Sequence, residues 1–211
     1  MDIDTFTGVV RTYHDQEQTQ LKEEYFQLNG KKNGILKSYY NNGQIKSEVN
    51  YIDGKRNGIY KLYWKNGQLE IELNYIDGKK NGIYKSYHYN GQLFEEVNYI
   101  DDKKNGIYKS YHKNGQLKKE VNYIDGKENG IYKLYYYHGQ LYEDGECFMD
   151  EYIKYTRYHD NGYKCAEYYS NRDDSIYYNK IYNENGILEE EIYAQDEKEF
   201  QNKILKHGNY I

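Results

Sequence analysis

The sequence predicts an all-β fold: a single elongated, twisted antiparallel meander sheet built from tandem 24-residue two-strand repeats. Three observations carry this prediction. Gly34, Gly58, Gly82, Gly106 and Gly130 recur at a constant step of 24 residues, and a fixed period in this range marks a repeat architecture. Each unit holds two turn signals, an Asn-Gly pair and an Asp-Gly-Lys-Lys-Asn-Gly type segment, separated by runs of about six to nine residues. Proline is absent from all 211 residues, which suits unbroken ladders because proline removes a backbone donor.

The clear units run 33–56, 57–80, 81–104, 105–128 and 129–151, and degenerate ones span about 8–32, 152–175 and 176–196. The array therefore covers residues 1–196, with about sixteen strands, and leaves 197–211 as a C-terminal cap. In each unit the Asn-Gly pair (Asn42-Gly43, Asn66-Gly67, Asn90-Gly91, Asn114-Gly115) is expected to form a two-residue type I′ turn, which needs positive φ at both positions. Trp64 then faces Leu69, Leu62 faces Ile71 and Tyr60 faces Leu73, with Lys61 against Glu72 and Ile59 against Asn74 on the opposite face. Taking Asp77 to Lys80 as a four-residue loop places Tyr75 opposite Gly82 and Glu72 opposite Lys85.

Carried along the chain, this register predicts one ladder of alternating charge: Lys37, Glu48, Lys61, Glu72, Lys85, Glu96, Lys109, Glu120, Lys133 and Asp144. Arg11 and Glu24 extend it at the front. Thr156 interrupts it, and Lys180 and Glu191 resume it. A one-residue slip would send every charge to the wrong face, so the row specifies register. Two endings fit the tail. Asp196 and Glu199 make a capping box with Gly208 as a helix stop, whereas Asn202 to Lys206 echoes the strand sequence at Asn33 to Lys37.

Composition narrows the function classes. Only 37% of residues are hydrophobic and tyrosine supplies 31 positions. Mean hydropathy is -1.17, so tyrosine, a strand former with a large apolar body, must provide much of the order. The net charge of -5 lacks the basic footprint of a nucleic-acid binder. Two cysteines, Cys147 and Cys165, are too few for a disulfide scaffold and are expected as free thiols. The start shows no secretory pattern, and no apolar stretch is long enough to span a bilayer. A cytoplasmic location is the expectation, in the cytoplasm of a host if the source is viral.

The run G-x-Y-K-x-Y-x-x-N-G-Q-L-x-x-E-x-x-Y-x-x-G-K, seen from Gly58 to Lys79 and from Gly106 to Lys127, resembles the variant form of the MORN repeat. Gly82 to Lys103 follows it with Asp102 in place of the last glycine. The resemblance covers about residues 8 to 196 and implies a single extended antiparallel sheet. Proteins of this family generally act as scaffolds, and some have been linked to membranes or phosphoinositides. Bacterial proteins with the variant repeat are often labelled antitoxins, and large DNA viruses of amoebae carry many MORN proteins. Eukaryotic members often add a kinase or methyltransferase domain, for which this chain has no room.

No catalytic, cofactor-binding or metal-binding residues are expected. Nucleophile-elbow, P-loop and dinucleotide motifs are missing, and acidic and basic pairs repeat too often to mark one reaction centre. His88 and His112 share a repeat position, two strands apart, which is too far for one zinc ion. They fit better as substitutes for Tyr40 and Trp64 on an aromatic rail. The candidate partner-binding residues are Tyr39, Tyr63, Tyr87, Tyr111 and Tyr135, because a one-layer sheet leaves tyrosines exposed and exposed tyrosine is favoured at interfaces. A second tyrosine row holds Tyr51, Tyr75, Tyr99 and Tyr123. The candidate anionic-lipid rim is Lys55, Arg56, Lys79, Lys80, Lys103 and Lys104, much of it offset by neighbouring acids. The leading expectation is a non-enzymatic scaffold for a protein partner not identifiable from sequence. The alternatives are peripheral binding to anionic lipids and antitoxin-like neutralisation of a partner protein.

Overall fold

A computed structural model describes residues 6–171 and 176–207. It divides into two compact units, residues 1–105 and 106–211. In the first unit the strands follow one another as an antiparallel meander: β1 (Gly8–Tyr13), β2 (Leu21–Leu28), β3 (Lys31–Tyr39), β4 (Ile45–Ile52), β5 (Lys55–Tyr63), β6 (Leu69–Ile76), β7 (Lys79–Lys80), β8 (Gly82–Tyr87), β9 (Leu93–Ile100) and β10 (Lys103–Lys104). The second unit continues in the same manner with β11 (Gly106–Tyr111), β12 (Leu117–Ile124), β13 (Lys127–Tyr135), β14 (Leu141–Phe148), β15 (Glu151–Tyr158), β16 (Lys164–Asn171), β17 (Ile176–Tyr182) and β18 (Leu188–Ala194), followed by helix α1 (Glu197–His207). β7 and β8 both pair with β6 and are two pieces of one strand, broken at Asn81. Residues 172–175, at the end of one degenerate repeat, and Gly208, the expected helix stop, lie outside the described residues.

The charge ladder runs through each unit at the expected pairings. In the first, Arg11 faces Glu24, Glu24 faces Lys37, Lys37 faces Glu48, Glu48 faces Lys61, Lys61 faces Glu72, Glu72 faces Lys85 and Lys85 faces Glu96. In the second, the row reads Lys109, Glu120, Lys133, Asp144, Thr156, Glu167, Lys180 and Glu191. Ion pairs close at 3.6 Å for Lys37–Glu48, 3.8 Å for Lys85–Glu96 and 3.2 Å for Lys109–Glu120. All are partly solvated, so each contributes modestly. Lys85→Glu replaces two attractive neighbours by two repulsive ones and should cost about 1–2 kcal/mol. Reversing Glu72 and Glu96 to lysine in the same chain should recover part of it. Urea denaturation midpoints test this, and an unchanged midpoint for the single variant would show that the row carries no stability.

The turns differ from the expected types, and the two kinds exchange roles. The Asn-Gly turns are three-residue loops. Trp64 N–H donates to Gln68 C=O at 2.8 Å and Gly67 N–H donates to Trp64 C=O at 2.9 Å. Only the glycine takes positive φ (83° at Gly67). This is a type I turn closed by a glycine bulge. The asparagine is held out of the left-handed region by its own side chain: Asn66 Oδ1 accepts the Gln68 N–H at 3.0 Å, and Asn42, Asn90 and Asn114 repeat the contact. Consequently Tyr63, not Trp64, faces Leu69.

The Asp-Gly turns are the true two-residue turns. Asp77 and Gly78 both have positive φ (51° and 87°), and Ile76 pairs with Lys79 and Tyr75 with Lys80. Gly82 therefore does not face Tyr75. Tyr75 lies against Gly58 on the preceding strand, as Tyr51 does against Gly34 and Tyr99 against Gly82. Each turn difference is absorbed within its own hairpin: a register shift between Leu62 and Tyr63 takes up the extra residue of the Asn-Gly loop, and the shorter Asp-Gly loop is followed by extra residues around Asn81-Gly82, which restores Glu72 opposite Lys85. This is why the ladder survives.

One face of each unit carries the ladder. The other carries the core. In the first unit Leu36, Val49, Leu73, Tyr75 and Val97 are buried there, and in the second Val121, Tyr132 and Cys147. For the tail, the structure has the helix and not a further strand. Asp196 Oδ1 accepts the Glu199 N–H at 2.7 Å and Glu199 Oε2 accepts the Gln195 N–H at 3.1 Å. The helix lays Phe200 on the core face against Tyr177, Ile192 and Ala194.

Candidate interaction surface

Both long margins of the first unit are fastened from repeat to repeat. At the Asn-Gly margin, Tyr40 Oη donates to the Tyr63 carbonyl at 2.6 Å and Trp64 Nε1 to the Tyr87 carbonyl at 3.3 Å. His112 and Tyr136 make the same contact in the second unit, to the carbonyls of Tyr135 and Tyr158. His88 lies on the same rail, its ring 4.9 Å from Phe94. Among the described residues no cluster of three or more His, Cys, Asp or Glu is placed to hold a metal ion. Cys147 and Cys165 are free thiols, Cys147 buried with its Sγ 3.4 Å from the Gly130 carbonyl.

The candidate tyrosines Tyr39, Tyr63, Tyr87, Tyr111 and Tyr135 share the parity of the ladder lysines and so sit on the ladder face. All five are half-buried. Burial first, then the carboxylates of Glu48 and Glu72, push the Tyr63 phenol above its ordinary pKa. Tyr51, Tyr75, Tyr99 and Tyr123 occupy the core face. There Tyr75 meets Tyr60 edge-on at 6.2 Å and Tyr99 meets Tyr84 at 5.8 Å, which accounts for them as packing groups.

The expected basic rim is not one surface. Lys55, Lys79 and Lys103 pair with Ile52, Ile76 and Ile100 on the ladder face. Arg56, Lys80 and Lys104 pair with Tyr51, Tyr75 and Tyr99 on the core face. The Arg56 guanidinium lies 5.2 Å from the Tyr75 ring centre and donates to the Tyr75 hydroxyl at 3.0 Å, and Lys80 Nζ lies 5.1 Å from the Tyr99 ring centre. Lys79 pairs with Asp101 at 3.6 Å. In the second unit Glu128 takes the cation position. Burial would raise its carboxyl pKa, but hydrogen bonds from Lys119, Tyr123 and Tyr152 hold it below the ordinary glutamate value.

A further exposed surface, absent from the candidate residues read from the sequence, is apolar. Ile35, Ile52, Ile59, Ile76, Ile83 and Ile100 form a band along the ladder face of the first unit, each between 48% and 63% exposed. Between Ile35 and Ile59 lies an open concavity of about 410 Å³, bordered by Lys37, Glu48, Asn50 and Lys61. Ile107, Ile124, Ile131 and Phe148 repeat the band in the second unit. Parity alone could have found it: Ile59 and Lys61 are two residues apart on one strand, and Ile76 is four from Glu72 on the next.

The family described as MORN repeat variant matches residues 32–53, 56–77, 80–101 and 104–125. No curated protein matches the chain. Three solved structures illustrate distant likenesses. A mutant of S. aureus TarM in complex with fondaparinux, alpha-GlcNAc-glycerol and UDP is 12% identical, with 46% of this chain and 19% of that one covered and a TM-score of 0.31. The GtfA/B complex bound to UDP and GlcNAc is 11% identical, with 65% and 25% covered and a TM-score of 0.21. The TcdB2-TccC3-Cdc42 structure is 13% identical, with 88% and 13% covered and a TM-score of 0.21. The chain spans a quarter or less of each of these, and likenesses at such scores carry no argument. Among the described residues no helix is long and apolar enough to cross a membrane.

Proposed function

The chain is a MORN-repeat protein, with four tandem copies of the variant repeat between residues 32 and 125, and from that premise we propose that it is a non-enzymatic scaffold whose ladder face binds a protein partner. Repeats of this kind generally serve as protein- or membrane-lipid-interaction modules. The exposed isoleucine band beside the ladder is the observation that favours protein. Exposed isoleucines that alternate with asparagine and lysine across the strands give the mixed apolar and polar composition of an interface, and the ladder charges neutralise one another along the row, so little net field is left for anionic lipid. The half-buried Tyr39, Tyr63 and Tyr87 line the far side of the ladder. Neutralisation of a toxin by direct binding is one form of this activity.

The lipid reading has weaker support, because three of its six rim residues lie on the core face, Arg56 and Lys80 over tyrosine rings. Capture from the native host, with wild-type chain and an Ile59→Asp/Ile83→Asp variant side by side, separates the readings. A protein retained by the wild type and lost by the equally stable variant is the expected result. A Lys55→Glu/Arg56→Glu/Lys79→Glu/Lys80→Glu variant should keep that protein. Sedimentation of the wild type with phosphatidylserine vesicles at low salt, abolished by these four reversals, would instead establish the lipid reading.

A further inference from the structure

The ladder face of the first unit is complementary to itself, and we infer that its partner is a second copy of this chain, packed face to face. The inference rests on the reading of that face as a binding surface. Neighbouring strands are about 4.8 Å apart, so ladder charges alternate in sign at that spacing. Lysines stand on β5 and β8 and glutamates on β4, β6 and β9. Consider a two-fold axis lying between two stacked sheets, parallel to the strands and midway between β5 and β6. It places Lys61 of one copy over Glu72 of the other, and the reverse. It also places Glu48 over Lys85 and Lys85 over Glu48. Each charge then has opposite neighbours within its own row and above it.

The same axis serves the apolar band. Ile35, Ile59 and Ile83 stand on alternate strands, about 9.6 Å apart. Asn50 and Asn74 hold the strands between them. The rotation brings the partner's isoleucines over those asparagine strands, so the two rows interleave. The open 410 Å³ concavity between Ile35 and Ile59 has the volume for one such side chain. Lattice spacing singles out a sheet as occupant: a helix advances about 5.4 Å per turn and falls out of step with a 4.8 Å array. An isologous contact of this type closes on itself and makes a dimer, not a fibre. Twisted sheets pack within about 30° of parallel, so the match is confined to the repeats nearest the axis.

Sedimentation velocity of the 211-residue chain, with concentration raised through the micromolar range, tests this. The wild type should pass from 25.5 kDa to twice that mass. Ile59→Asp/Ile83→Asp should weaken dimerisation at least tenfold with an unchanged melting temperature. Ile59→Ser/Ile83→Ser provides the same reading if the first variant does not fold. A wild type that stays at 25.5 kDa, or a folded variant that dimerises as well as the wild type, overturns the inference. If the wild type is monomeric yet loses a captured host protein on the isoleucine changes, self-association fails while the scaffold reading stands.

Discussion

Tyr132→Ala should be among the most damaging single substitutions in the second unit, costing about 3–5 kcal/mol. Tyr132 is 1% exposed and packs with Val121 and Cys147 on the core face, with Tyr108, Tyr123, Leu134 and Tyr155 around them. Its ring meets Tyr152 edge-on at 4.8 Å. Gly145 faces it across the ladder, and a Cβ there would come within 2.8 Å of the tyrosine ring, so the pair is fitted as large against small. Its hydroxyl donates to Glu143 Oε1 at 2.8 Å, and Glu143 also takes two hydrogen bonds from Arg157. Burial first, then the Glu143 carboxylate, push the Tyr132 phenol far above its ordinary pKa, so it remains a neutral donor. Tyr132→Phe should cost only about 0.5–2 kcal/mol, because the aromatic volume stays and Arg157 still satisfies the carboxylate. Urea denaturation gives both values. Hydrogen exchange should show the loss concentrated in β12 to β15, since stability in a repeat array is carried between neighbours. Equal costs for the two variants would mean that the hydroxyl, not the packing, carries the site.

Phe200→Ala should release the C-terminal helix, again with a local cost of about 3–5 kcal/mol. Phe200 is 1% exposed, stacks on Tyr177 at 5.7 Å and lies tilted against Tyr168 at 5.9 Å. An 11-residue helix is too short to persist in water without tertiary packing. The Asp196–Glu199 cap, the Glu199–Lys203 ion pair at 2.7 Å and the hydrogen bond from Lys203 to the Tyr193 carbonyl would not hold it alone. Far-UV circular dichroism should lose its helical component, and limited proteolysis should cut first within 195–207. Exposure of Tyr177, Ile192 and Ala194 should also promote aggregation. A helix that remained protected after the change would show that its cap and polar contacts suffice.

Much of this fold was legible because a 24-residue period constrains every repeat at once. Lys61 must stand opposite Glu72 if the apolar side chains of β5 and β6 are to share a face, and the same logic recurs at each unit. The turns were less legible. Asn-Gly and Asp-Gly look alike as turn signals, and which becomes the two-residue turn depends on local hydrogen bonding. The Asn66 side chain accepts from Gln68, while Asp77 adopts positive φ. The candidate site was legible in part. Parity placed Ile59 on the ladder face, but isoleucine is ordinarily buried whereas tyrosine and lysine are ordinary surface groups, so its exposure was not legible from residue type. That Arg56 and Lys80 turn to the opposite face from Lys55 and Lys79 follows from the two-residue turn, and the expected four-residue loop concealed it.

By itself the sequence determined the repeat, the strand order and the ladder, because alternation with period two and a constant repeat length leave one register in which the charges of the regular repeats pair. Only the tertiary structure decided how exposed each row is. Burial of Tyr75 and Tyr132 and exposure of Ile59 and Ile83 depend on which face receives neighbouring side chains, and that is set by packing between strands and not by the residues' own preferences.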